Sequence, residues 1–257
     1  MNHGICNLSL VPVRKEPSDR SEMVTQLLFG EHFEVTEKKN LWRKIRTTYD
    51  NYEGWVDEKQ FLLISLEEFN KLNRAAAYIT LELLQVISGN DNMLPIVLGS
   101  TLPFFNGKNF RLGSKEFVYE GNVRNCDTPS PKKMIVENAY MYLNAPYLWG
   151  GRSPFGLDCS GFTQMVYKLS GYKLKRDAHQ QAEQGYTLNL LSEAEPGDLV
   201  FFDNEEGKII HTGIILVGEK VIHASGKVRI DKLDSHGIYN VDTKKYSHNI
   251  RLIKRLI

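Results

Sequence analysis

Along the first quarter of the chain the apolar residues come in short runs rich in Val, Ile, Leu, Phe and Trp, at residues 8–13, 24–28, 32–36, 42–46 and 54–56. Pro17, Gly30, Asn40 and Asn51 break them. Runs this short, bounded by turn-forming residues, predict the strands of a small all-β barrel over residues 1–64. The period then changes. From Ser65 to about Tyr78, residues Leu66, Phe69, Leu72 and Ala76 recur at helical spacing, Ser65 stands where an N-cap would, and Glu67 and Glu68 fall in the first turn. This predicts a helical connector. Further β-rich runs at residues 94–105, 109–113 and 115–121, punctuated by Asn106-Gly107 and Gly113-Ser114, complete a second small barrel within residues 65–128.

The polar stretch 125–131, with Pro129 and Pro131, reads as a linker into a third domain over residues 129–257. There, Ser130-Pro131 provides a cap and first-turn pair for a helix through residues 132–143. The loop "NAPYLWGGRSPFGLDCSG" follows, and a second helix runs from about Cys159 to Ser170, where Gly171 ends it. Residues 197–203, 208–218, 220–228 and 249–257 then read as strands. The third domain is therefore expected to be α+β, with helices first and an antiparallel sheet after.

Composition narrows the function. The chain is 42% hydrophobic and 25% charged, as expected of a globular protein with a real core, and its formal net charge is +1. That balance offers no basic field, so neither nucleic acid nor an anionic membrane is expected as a partner. The N-terminus has no basic segment leading into an apolar one, and no stretch of eighteen apolar residues occurs, which together point to a cytoplasmic protein. Cys6, Cys126 and Cys159 are odd in number, far apart and without CxxC spacing. A disulfide framework, a zinc site or any other cofactor is not expected.

The chemistry concentrates around "GLDCSGF", residues 156–162, which puts Cys159 at the start of a helix. A helix N-terminus with a nearby imidazolium lowers a thiol pKa and makes a nucleophile of it. His211 opens the apolar strand "KIIHTGIILVG", and His223 lies on the next strand, past the Gly218-Glu219 turn. A hairpin there brings both imidazoles to the same end of the sheet, giving the nucleophile, base and orienting residue that cysteine catalysis needs. Read by chemistry alone, Cys159 as nucleophile and Cys159 as a buried small residue stand level. Cys6 reads as a barrel residue and Cys126 as a linker thiol, both inert.

At these residues the chain resembles the NlpC/P60 family of cysteine peptidases, which cleave bacterial cell-wall peptides with a Cys-His dyad and a third polar residue. The matching motifs are "YLWGG" (147–151), "DCSGF" (158–162), "RDAHQQ" (176–181), "PGDLVFF" (196–202), "HTGIIL" (211–216) and "VIHASG" (221–226). The first β-rich segment resembles the bacterial SH3 modules often fused ahead of that domain, and the second does so more weakly. Within the family the arrangement is similar to γ-D-glutamyl-L-diamino acid endopeptidases that trim free murein peptides inside the cell.

The resemblance implies a papain-like catalytic domain, with Cys159, His211 and His223 as catalytic residues. It also implies that Asp158, Ser160 and the Arg176-Asp177 pair bind the free α-amine of the substrate, that Tyr147 and Trp149 wall the pocket, and that Tyr52 of "NYEGWV" limits how much substrate fits. Ala178 stands where relatives carry serine. The expected substrate is a murein peptide of the form L-Ala-γ-D-Glu-diamino acid. Two alternatives remain open at this point: a murein-binding SH3-like protein with an inactive third domain, and an amidase or acyltransferase acting on another acyl substrate.

Overall fold

The computed structural model describes residues 2–89 and 92–257. It divides into two compact units, one of residues 1–128 with 150–154 and the other of residues 129–149 with 155–257.

In the first unit seven strands form one antiparallel sheet, in the order Met23–Leu28, Leu10–Arg14, Glu53–Asp57, Trp42–Thr47, His32–Lys39, His3–Ile5 and Leu62–Ile64. Alternate residues of these strands, among them Val11, Val13, Phe33, Val35 and Ile45, close on a core that also holds Cys6. Burial pushes the Cys6 thiol up to about 12, so it stays a small apolar side chain. Helix α1, Leu66–Arg74, starts where expected, with the Ser65 hydroxyl accepting from the Glu68 amide at 3.1 Å. It ends earlier than the spacing suggests. Ala75 is extended, Tyr78 belongs to strand Tyr78–Thr80, and Leu66 is exposed while Phe69 and Leu72 carry the buried face.

The second β-rich set forms a four-stranded and a three-stranded sheet. Its core is continuous with the barrel: Ile5, Phe29 and Ile64 pack in one cluster with Phe69 and Leu72 of α1 and with Ile87, Ile96, Leu102, Phe110 and Phe117. Residues 150–154 also belong to this unit. Gly150 has φ +75°, and a Cβ there would stand 2.3 Å from the Met23 carbonyl oxygen, so only glycine fits. Arg152 is buried, donates to the Gln26 carbonyl at 2.7 Å and makes a two-pronged ion pair with Glu31 at 2.9 and 3.0 Å. Removing one partner strands the other charge in the interior, at a cost of about 3–5 kcal/mol. Arg152→Met is therefore expected to lower the denaturant stability of this unit by that order, with Glu31→Gln added restoring most of it. A loss under about 1 kcal/mol would contradict the assignment.

In the second unit helix α2 spans Lys133–Tyr140. The expected Ser130 cap does not form: Lys132 is the cap residue without a side-chain bond, and the Ser130 amide instead donates to Ser170 O at 2.9 Å. Helix α3, Cys159–Leu169, is buried along its whole length, and helix α4 spans Ala178–Gln181. Seven antiparallel strands follow in the order Tyr186–Leu188, Lys245–Arg255, Leu199–Asp203, Ile209–Leu216, Lys220–Ser225, Lys227–Leu233 and Gly237–Asn240. The last pairs back onto Lys245–Arg255, curling the sheet around Val200, Phe202, Ile215, Val221, Leu233 and Ile253. Helix α3 packs on Ile209–Leu216 and Lys220–Ser225. Among the described residues no helix is long and apolar enough to cross a membrane.

Candidate active site

The site is assembled where the first turn of α3 meets the start of strand Ile209–Leu216. Asp158 is extended and caps α3, its Oδ1 accepting from the Gly161 amide at 2.7 Å. This fixes Cys159 as the first helical residue. Its thiol lies at the backbone amides of Thr212 and Ser160, both of which favour the thiolate, so the residue after His211 is in the thiol's immediate surroundings. The loop before the helix is held by backbone bonds from Leu148 N to Leu157 O at 3.1 Å and from Leu157 N to Pro146 O at 3.2 Å. Tyr147 lies between them; burial first, then Cys159 and Asp158, push its hydroxyl up to about 12.

Strand pairing places the histidines. Phe202 pairs with His211 but Asp203 with Ile209, so a bulge falls at Ile210, immediately before the histidine. Gly213 pairs with His223, and a Cβ on Gly213 would meet Val221 Cγ2 at 2.6 Å and His223 Cβ at 3.1 Å. The glycine keeps that face open for the imidazoles. His211 Nε2 and His223 Nδ1 are hydrogen-bonded at 2.8 Å, and His223 Nε2 contacts Asp231 Oδ2 at 3.1 Å. His248, from strand Lys245–Arg255, stacks on His211 with centroids 4.2 Å apart.

Asp231, His248 and Arg229 do not figure in the sequence reading. The strand of Arg229 and Asp231, Lys227–Leu233, also carries Lys227 and Lys232, so no local pattern singles Asp231 out; strand pairing puts Arg229 and Asp231 on the face that carries His223.

The charge state differs from the expectation of a thiol lowered by its helix start. Burial pushes the Cys159 thiol up to about 12, Asp158 adds to that, and the Thr212 amide, Arg176 and the Ser160 amide oppose it. A helix terminus contributes a fraction of a charge, whereas full burial shifts a pKa by several units, so burial wins. Burial, followed by His223 and His248, holds His211 well below its ordinary 6.5. Both shifts favour the neutral thiol and the neutral imidazole. With His211 as base, a lowered pKa keeps it unprotonated further into acid, so the acid limb of kcat/KM is expected below pH 6.5, with activity lost only as pH falls through the lowered His211. The thiol sets no alkaline limb below about pH 10. A pH–rate profile with its acid midpoint at or above 6.5 would contradict this.

Asp158 is also the centre of a buried polar knot. Arg176, 1% exposed, reaches it with Nη1 on Oδ1 at 3.0 Å and Nη2 on Oδ2 at 2.7 Å, and Nη1 also donates to Ser160 Oγ at 3.0 Å. Gln181 of α4 locks the same turn, donating to Ser160 O at 2.9 Å while accepting from Thr163 Oγ1 at 2.7 Å. Asp177 follows Arg176 at the head of α4, its amide donating to Gln180 Oε1 at 3.2 Å. Trp149 is 60% exposed. Tyr52 lies in the first unit, in the turn before strand Glu53–Asp57, its amide donating to Thr47 Oγ1 at 2.9 Å. Among the described residues no cluster of three His, Cys, Asp or Glu is arranged to hold a metal ion.

A cysteine heading a buried helix, beside a strand whose histidine is bonded to a second histidine, has the parts that cysteine nucleophilic catalysis needs. Residues 144–246 match the NlpC/P60 family, and residues 13–61 match the bacterial dipeptidyl-peptidase Sh3 domain. A gamma-D-glutamyl-L-lysine dipeptidyl-peptidase of Bacillus subtilis (strain 168) is 30% identical over 218 residues, covering 78% of this chain and 71% of its own length. The chain belongs to the NlpC/P60 family.

Dipeptidyl-peptidase 6 of Lysinibacillus sphaericus is 26% identical over 254 residues, spanning 88% of this chain and 90% of its own. The crystal structure of an NlpC/P60 family protein from Bacillus cereus ATCC 10987 superposes with a TM-score of 0.83 at 22% identity, over 99% of each chain, and shows the shared fold. This NlpC/P60 protein, with its N-terminal SH3 domain, is accordingly a hydrolase of the cysteine-peptidase class.

Proposed function

We propose that this NlpC/P60 hydrolase cleaves the γ-D-glutamyl-L-diamino acid bond of murein-derived peptides that carry a free N-terminal L-Ala, in turnover of such peptides inside the cell. The observation that carries the chemistry is the 2.8 Å bond between His211 Nε2 and His223 Nδ1, beside the helix turn that presents Cys159. The bond specificity draws on relatives named as gamma-D-glutamyl-L-lysine dipeptidyl-peptidases.

In this reading substrate arrival lets the Cys159 proton pass to His211 as sulfur attacks the scissile carbonyl. The oxyanion takes a hydrogen bond from the Cys159 amide, unpaired within the helix because it belongs to the first turn. Imidazolium His211 then gives its proton to the leaving amine, and water hydrolyses the thioester by the reverse roles. Asp158, Ser160 and Asp177 receive the substrate's α-ammonium, Arg176 holds Asp158 in place, and Tyr147 and Trp149 wall the pocket. Tyr52 is included as a limit on substrate length, on the resemblance alone. We also read the second β-rich set as an SH3-like barrel that shares its core with the first.

The test is mass spectrometry of products from L-Ala-γ-D-Glu-L-Lys. Free lysine with the intact L-Ala-γ-D-Glu dipeptide supports the proposal. Release of alanine, or no cleavage of this peptide alongside cleavage of another amide, overturns it.

A further inference from the structure

We infer that Asp231 is the positioning residue that fixes the tautomers of both histidines and so decides which nitrogen of His211 is available to Cys159. The inference rests on the reading of Cys159 and His211 as nucleophile and base. Asp231 is buried, accepts from Arg229 Nε at 2.7 Å and Nη2 at 2.9 Å, and accepts from the Val241 amide at 3.0 Å. An ionised carboxylate only accepts hydrogen bonds, so the 3.1 Å contact requires a proton on His223 Nε2. A neutral imidazole carries one N–H, so His223 Nδ1 is then an acceptor. The 2.8 Å contact in turn requires the donor to be His211 Nε2. Both rings are Nε2–H tautomers, and the lone pair of His211 is at Nδ1, the nitrogen left to receive the thiol proton.

The electrostatics agree. Burial alone would raise the Asp231 pKa, but His223, Arg229 and the Val241 amide overcome it and hold the carboxyl well below the usual range. Burial lowers His223, Asp231 works against that, and Arg229 works with it. The remaining titratable groups around the pair come from other strands. His248, stacked on His211, is pushed down to about 4, by burial first and then by His223, and so stays neutral near pH 7. Asp242 pairs with Arg229 at 2.8 Å and further anchors the clamp. His248 also covers a face of the His211 ring and restricts its rotation.

Two measurements test this. Long-range 15N–1H correlation spectra of the wild-type protein read imidazole tautomers without turnover, so their outcome is independent of which peptide is cleaved. Nε2–H signals for both His211 and His223 are expected, and an Nδ1–H tautomer at either overturns the inference. In pH–rate profiles, Asp231→Asn removes a negative charge that favours the imidazolium, so kcat is expected to fall about 10²-fold with the acid limb displaced to lower pH and KM little changed. Arg229→Gln removes the opposing positive charge and is expected to displace the limb upward. A merely structural carboxylate would lower rates in both variants without moving the limb. Unshifted limbs, or shifts of the same sign, would overturn the inference.

Discussion

Replacing Cys159 by alanine or serine is expected to reduce turnover of L-Ala-γ-D-Glu-L-Lys by on the order of 10⁴-fold or more while leaving the unfolding temperature near that of the wild type. The two halves of that expectation have separate origins. In the proposed mechanism the Cys159 sulfur forms the acyl intermediate, and neither Cys6, in the barrel core, nor Cys126, in the other unit, replaces it. The fold does not depend on the thiol, because α3 is capped by Asp158, locked by Gln181 and buried along its apolar face regardless of the atom at Sγ. His211→Ala removes the proton acceptor of the proposed mechanism, and its turnover is expected to fall by a similar factor. His223→Ala removes the hydrogen-bond partner but not the base, and general acid–base and positioning terms of about 10²–10⁴-fold bound its effect. Steady-state rates across the three variants, with thermal unfolding of each, check the ordering. Wild-type turnover in Cys159→Ala would end the mechanism, and His223→Ala as inactive as His211→Ala would move His223 from orienting the base to sharing its role.

How much of this site was legible in the sequence follows the range of the interactions. Asp158 as a cap, Cys159 as the first helical residue and Gly171 as the terminator are decided within one turn of chain, and local chemistry reads them directly. The histidines were legible as polar interruptions of apolar strands. Their bond was not, because it depends on the Gly213–His223 register and on the bulge at Ile210, which a hairpin turn alone does not set. Asp231 lay one step further out: it matters only because Lys227–Leu233 folds back beside His223's strand, and nothing within its own stretch marks it as more than a surface charge. The thiol's raised pKa was misjudged for a related reason. The helix terminus is a local feature and visible, whereas burial is a property of the finished fold. On the other side, the α1 spacing extended to Ala76 in the sequence but the helix stops at Arg74, because the chain is drawn into strand Tyr78–Thr80 by pairing with residues 101–102 and 123–125.

N-acetylation of the substrate is expected to lower wild-type kcat/KM by about 30- to several-thousand-fold, the equivalent of about 2–5 kcal/mol for a buried charged hydrogen bond at about 1.4 kcal/mol per decade. Two carboxylates are candidates for that recognition. Arg176 spans both oxygens of Asp158, which also accepts from the Gly161 amide, so that carboxylate is already engaged. Asp177 follows Arg176 at the head of α4. With Asp177 receiving the ammonium, as in the proposed function, Asp177→Asn is expected to process the free and acetylated peptides at nearly equal, low efficiency. Asp158→Asn is a poorer probe, because it leaves Arg176 buried without its counter-ion and costs about 3–5 kcal/mol of stability. The informative comparison is the ratio of kcat/KM for the two peptides in the wild type, Asp177→Asn and the folded fraction of Asp158→Asn. If the ratio collapses only in Asp158→Asn, the ammonium competes with Arg176 for the same carboxylate and Asp177 is not its receptor. If the wild-type ratio is already one, recognition of a free amine is removed from the proposal altogether, leaving Asp158 as the cap that holds Cys159 at the head of its helix.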